Sequence, residues 1–201
     1  MQTFRYAYFP ADVCTVHVAL FADVANAAAV RARIIRASIT EGQEGEHERE
    51  AVNFAFVDAR LISSPLHLQT AIVQAILAHV QGTLRTKTIH SEILWALSPN
   101  NNITEAIRRF GVSDSTTALL VIRIASPEFA PERVLTSMQA VVSGSLVSIT
   151  RLREITDWTA IKKYYRVDAD PAIKVQGMDS EKERAVVNEI VVSAVAMKSV
   201  M

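Results

Sequence analysis

TALLVIRI, residues 117–124, is apolar almost without a break. A strand with one wet face alternates apolar and polar side chains, but here only Thr117 and Arg123 are polar. The run reads as a central strand covered on both faces. Its neighbours in sequence should therefore supply further strands and helices with a strong apolar stripe.

They do. VCTVHVAL, residues 13–20, alternates, with Cys14, Val16, Val18 and Leu20 on one face and Thr15 and His17 on the other. VNFAFV, residues 52–57, reads as another strand, and residues 145–150 as a short edge strand. Residues 23–38 have helical spacing, with Asp23 as cap and Val24, Ala27, Ala28, Arg31, Ile34 and Ile35 along one side. Ser64-Pro65 opens a helix whose Leu68, Ile72, Val73, Ile76, Leu77 and Val80 form a stripe, and Gly82 ends it. SEILWAL, residues 91–97, predicts a short helix stopped by Pro99. Residues 131–142 form another, and Thr156 or Asp157 caps one through Tyr164. Ser180 and Glu183 have capping-box spacing and open a last amphipathic helix, residues 180–198. Residues 40–50, TEGQEGEHERE, read as an exposed acidic loop. The interleaved elements predict a single compact α/β domain over 1–201, with a small mixed sheet of about 3–4 strands and several packed helices.

The composition is globular: half of the 201 residues are hydrophobic and six are glycine. Lys plus Arg and Asp plus Glu both number 21, so no whole-surface basic field exists for nucleic acid, although a local patch remains open. A single cysteine, Cys14, cannot form an internal disulfide and fits a reducing compartment. No stretch resembles a signal peptide or reaches membrane-spanning length. Phosphate-loop, dinucleotide, zinc-protease and nucleophile-elbow motifs are all missing from the sequence. Cys14 and His17 fall on opposite strand faces, so they are not an activated pair. The five histidines show no metal-ligand spacing. The expectation is a binding protein without metal or cofactor.

SPNNNITEAIRRFGVS, residues 98–113, carries the most unusual pattern. Asn102 caps a helix from Ile103 to Phe110, Glu105 completes a capping box, and Gly111 ends it in the left-handed region. That accounts for neither Asn100 nor Asn101. An amide-rich turn at a helix start attracts anions, and asparagine side chains read base edges. The window from 85 to 109 is also basic, with Arg85, Lys87, Arg108 and Arg109 against Glu92 and Glu105.

LRTKTIHSEILWALSPNNNITEAIRRFGVS, residues 84–113, closely resembles the signature of the CGI/PRPK-binding protein family. CTVHVALFADVANAAAVRARI near the start and ITDWTAIKKYYRV at 155–167 are similar to the family's first strand and helix and to its late helix. The acidic segment 40–50 and residues 125–150 depart from the pattern. The resemblance implies a compact α/β fold and the role of a small non-enzymatic subunit of the KEOPS (EKC) complex. It implies binding and stimulation of that complex's small atypical kinase/ATPase. It also implies support of threonylcarbamoyl modification of the adenosine beside the anticodon, with contact to the tRNA 3′ CCA end. Other KEOPS subunits are reached through the kinase. A nuclear and cytoplasmic location and a link to telomere maintenance follow from the same likeness.

On that footing the tRNA contacts expected are Arg85, Lys87, Asn100, Asn101 and Arg108. Trp95 is either a base-stacking platform or core beside Ile93, Leu94 and Leu97. The kinase contacts expected are Val187, Ile190, Val191, Ala194 and Val195 on one side of the last helix, with Val186, Val192 and Met197 adding apolar surface beyond it. Two other readings stand beside this one: a protein-only scaffold without RNA contact, and a small phosphate-handling enzyme using residues 99–102 as an anion cradle.

Overall fold

A computed structural model describes residues 1–173 and 179–199. Its centre is a sheet of β1 (Gln2–Arg5), β2 (Thr15–Ala22), β3 (Ala55–Asp58), β4 (Leu119–Ala125) and β5 (Ser145–Val147). The order is β1-β2-β4-β3, and β5 also pairs with β2. Every pairing is antiparallel. β1 lies along Thr15–Val18 and β5 along Leu20–Ala22, so the two share the edge of β2 that β4 leaves free.

The α/β class holds, while the mixed sheet of about 3–4 strands becomes five antiparallel ones. Periodicity shows burial but carries no strand direction, and β1 is too short and exposed to leave an apolar trace.

Every residue of β4 is buried, as TALLVIRI predicts. Leu120, Ile122 and Ile124 face α3 (Pro65–Val80) and α4 (Ile89–Leu97). Leu119 and Val121 face α1 (Ala27–Ile39) and α6 (Pro131–Val141). The Thr15 and His17 face of β2 is dry as well, because the sheet is sandwiched between helical layers.

The remaining helices are α2 (Gly42–Ala51), α5 (Ile103–Phe110), α7 (Leu152–Ile155), α8 (Trp158–Tyr165) and α9 (Ser180–Ala196). No helix among the described residues is long and apolar enough to cross a membrane.

The acidic stretch 40–50 is a helix rather than a loop. Glutamate is a good helix former, and three arginines anchor the segment. Arg33 pairs with Glu48 at 2.9 Å, Arg49 donates to the carbonyls of Ala37 and Thr40, and Arg123 reaches from β4 to Glu50 at 2.7 Å. Gly45 lets α2 close on the end of α1, since a Cβ there would lie 2.0 Å from the Thr40 carbonyl oxygen.

Caps differ from expectation in detail. Asn26, not Asp23, precedes α1, and Asp23 sits in the left-handed region at φ 52°. Asp179, not Ser180, caps α9 by accepting from the amides of Glu181 and Lys182. Ser64 and Asp157 cap α3 and α8 as expected.

Candidate functional site

The SPNNN turn joins α4 to α5. Asn102 caps α5 by accepting from the Glu105 amide at 3.0 Å. The expected capping box does not close. The Glu105 carboxylate turns to Arg108 at 2.7 Å and Arg109 at 2.5 Å instead, and both arginines draw its pKa below the usual glutamate range. Salt bridges within reach on one helix face outcompete the backward reach to the cap. Arg109 also lies 4.4 Å over the Tyr164 ring, which joins α5 to α8.

Gly111 is extended (φ −77°, ψ 169°) rather than left-handed. Its glycine is required by space: a Cβ would lie 2.4 Å from the Ile107 carbonyl oxygen. Gly111→Ala is expected to cost about 2 kcal/mol, read as a lowered thermal midpoint. An unchanged midpoint would show that the backbone shifts freely there.

Each asparagine has a different position. Asn100 accepts the Asn102 amide at 3.0 Å on its side-chain oxygen, while its own amide and that oxygen both meet the Ser98 hydroxyl. Asn101 is exposed and makes no side-chain hydrogen bond among the described residues. Two of the three asparagine amides are thus already bonded inside the turn, which removes much of the N–H surplus that an anion cradle requires.

Lys198, just beyond α9, holds the turn from beneath. Its ammonium donates to the carbonyls of Ser98 at 2.8 Å and Asn100 at 2.5 Å and sits 4.5 Å from the Trp95 ring centre. The residue is only 5% exposed. Burial lowers its pKa to about 8. Tyr165 donates to the Leu97 carbonyl, so two distant side chains finish the end of α4. Trp95 is half-buried under Lys198, which makes it part of this support.

The other end of α4 carries Arg85 and Lys87. A buried carboxylate, Glu92 (1% exposed), accepts from the amides of Arg85 and Thr86 and from the Thr86 hydroxyl at 2.6 Å. Thr88 and Ser91 add a capping box. Glu92 therefore fixes this loop from inside instead of offsetting its charge at the surface. The Arg85 and Lys87 side chains stand exposed without an ion pair among the described residues. The nine residues of α4 separate the two groups by about 13 Å. Arg108 is exposed on α5, already paired with Glu105.

The face expected on α9 is mostly internal. Val187 and Val191 pack with Ile161 and Val167, and Val195 joins the main core. Contact with α3, the segment just before it and α8 accounts for this: Gln74 donates to the Ala196 carbonyl, Ser63 to Asn188, and Lys162 to Glu183. Ile190 and Ala194 are half-buried, and Met197 is 52% exposed. With Val186 they run along one flank at positions i, i+4, i+8 and i+11. That flank, rather than Val187, Val191 and Val195, keeps apolar surface open, with Ile190 leaning partly on the Ile161 cluster and Val192 half-buried on another side.

Among the described residues, no three or more His, Cys, Asp or Glu side chains converge as a metal set would. The sequence pattern of the family described as kinase binding protein CGI-121 matches residues 21–199. The chain belongs to the CGI-121 family. An EKC/KEOPS complex subunit CGI121 of Cryptococcus neoformans is 36% identical over 234 residues, covering 100% of both chains. The subunit of that name from Aspergillus fumigatus is 34% identical over 187 residues, covering 92% of this chain and 90% of its own. Its Neurospora crassa counterpart is 32% identical over 215 residues, with 98% of each covered. The CGI-121 match begins at the last two residues of β2, runs through α9 and includes α4, the SPNNN turn and Lys198.

Proposed function

We propose that the chain is a non-catalytic subunit of an EKC/KEOPS assembly. It binds the small kinase/ATPase subunit through the open flank of α9 and stimulates it. It presents both ends of α4 to the single-stranded 3′ end of tRNA, in support of threonylcarbamoyl modification, in the nucleus and cytoplasm. The family match over 21–199 carries the kinase-binding part of this reading.

The RNA part is supported by the layout of α4. Among the described residues Arg85 and Lys87 have no ion pair and are available for phosphates, and the Asn101 side-chain amide makes no bond and is available for a base edge. Asn100 and Arg108 act within the turn and beside it. Each has one role already filled, Asn100 by Asn102 and Arg108 by Glu105. Zero net charge gives weak RNA binding by the isolated chain, with avidity supplied by the assembly.

The test is tRNA filter binding with Arg85→Glu/Lys87→Glu. The affinity should fall at least about tenfold, with a shallower log–log salt slope. Unchanged affinity and slope would leave the protein-only scaffold as the better reading, which the internal bonding of Asn100 and Asn102 also favours.

A further inference from the structure

The end of α4 is closed in an unusual way. Ser98 at its C-cap is extended (φ −80°, ψ 134°), so no left-handed glycine folds the chain back onto the last carbonyls. The carbonyls of Ser98 and Asn100 instead converge on one buried ammonium that the SPNNN segment does not supply.

We propose that Lys198 is a positioning residue for the RNA-facing turn. By drawing the Ser98 and Asn100 carbonyls inward, it holds Asn101 outward and ties that geometry to the end of α9. This rests on the tRNA reading given above.

The chemistry supports the assignment. An ammonium has three donors; two reach carbonyl oxygens and the cation lies over the Trp95 face. Almost no water reaches the site to replace it. With its carbonyls fixed, the turn meets a ligand already ordered, which removes an entropic cost of binding. The lysine is itself anchored: Gln74 donates to the Ala196 carbonyl at 2.9 Å, two residues before it. A partner seated on the neighbouring flank of α9 therefore presses on the element that carries the lysine.

The experiment combines amide hydrogen exchange and tRNA binding on the full chain. Lys198→Met should speed exchange at residues 100–104 while distant strands keep wild-type rates. It should weaken binding to intact tRNA about tenfold, as expected for two buried carbonyls losing a charged donor. Affinity for tRNA lacking its last three nucleotides should not change. Lys198→Gln replaces it if methionine unfolds the chain. Lys198→Cys in a Cys14→Ala background, alkylated with 2-bromoethylamine, restores an ammonium at nearly the same reach and should recover both readouts. A merely space-filling role would not give that recovery.

Unaltered exchange in Lys198→Met, or altered exchange with wild-type tRNA affinity, overturns the positioning role alone. Wild-type protein that fails to bind intact tRNA overturns the RNA reading, and the role proposed for Lys198 falls with it.

Discussion

Lowering the pH from about 7 to about 4 is expected to unfold the protein through two buried histidines. Burial pushes the pKa of His67 and His90 down to about 3, with Arg123 adding to the effect at His90. The bonding explains why they stay neutral. His67 accepts the Ser63 amide on Nδ1, so its Nε2–H donates to Tyr165, whose hydroxyl donates to Leu97. His90 accepts the Ile124 amide on Nε2. Protonating either ring at its accepting nitrogen evicts a buried backbone N–H.

An unfolded histidine titrates near about 6.5. Between that pH and about 3 the unfolded rings hold more protons, so the contribution of these two histidines falls with acid and is level above the window. Each ring is worth on the order of 5 kcal/mol across the full range, against a typical total of about 5–15 kcal/mol. His17, also lowered by burial and then by Arg123, adds in the same direction. Glu48 and Glu105, held low by their arginines, contribute only at more acidic pH. Urea titrations across pH check this. His67→Gln/His90→Gln, which keeps an acceptor without a titration, should flatten the acid limb. Wild-type stability that is level down to about pH 4.5 would sink the idea.

Two substitutions one residue apart on α9 should fail in different ways. Val191→Glu places a carboxylate in a fully buried site among Ile161, Val167 and Val187. It should cost more than about 3 kcal/mol and leave little folded protein. Ile190→Glu lies on the half-open flank with Val186, Ala194 and Met197. It should abolish co-purification with the kinase subunit while the far-UV spectrum and most of the thermal midpoint survive. Folded Ile190→Glu that still captures the kinase would move the interface off this flank.

What the sequence discloses here follows from the range of the interactions concerned. Local rules suffice for β4, for the Ser64-Pro65 start of α3 and for the Asn102 cap, because the residues concerned lie within a few positions of one another. They mislead at α2, where glutamate signals both solvent and helix, and only Arg33, Arg49 and Arg123 decide between them. They mislead again at α9. Its valines and isoleucine surround the helix, and the packing of α3 and α8 determines which of them are covered.

In the candidate site, the exposure of Arg85, Lys87 and Asn101 agrees with a basic, amide-rich segment, and their reading as RNA contacts came from the family resemblance. Glu92 and Lys198 could not be assigned. Glu92 looked like a surface counter-charge, and the carbonyls held by Lys198 are about a hundred positions away in sequence.

That separation sets an order of events during synthesis. The SPNNN turn leaves the ribosome long before Tyr165 and Lys198, so α4 emerges with its last carbonyls bonded only to water. The central strands and α3 can assemble while the rest is being made. The turn takes its final shape only when Tyr165 and Lys198 arrive. Its geometry therefore depends on synthesis having passed α9: a chain halted before Lys198 lacks the donor that sets this surface.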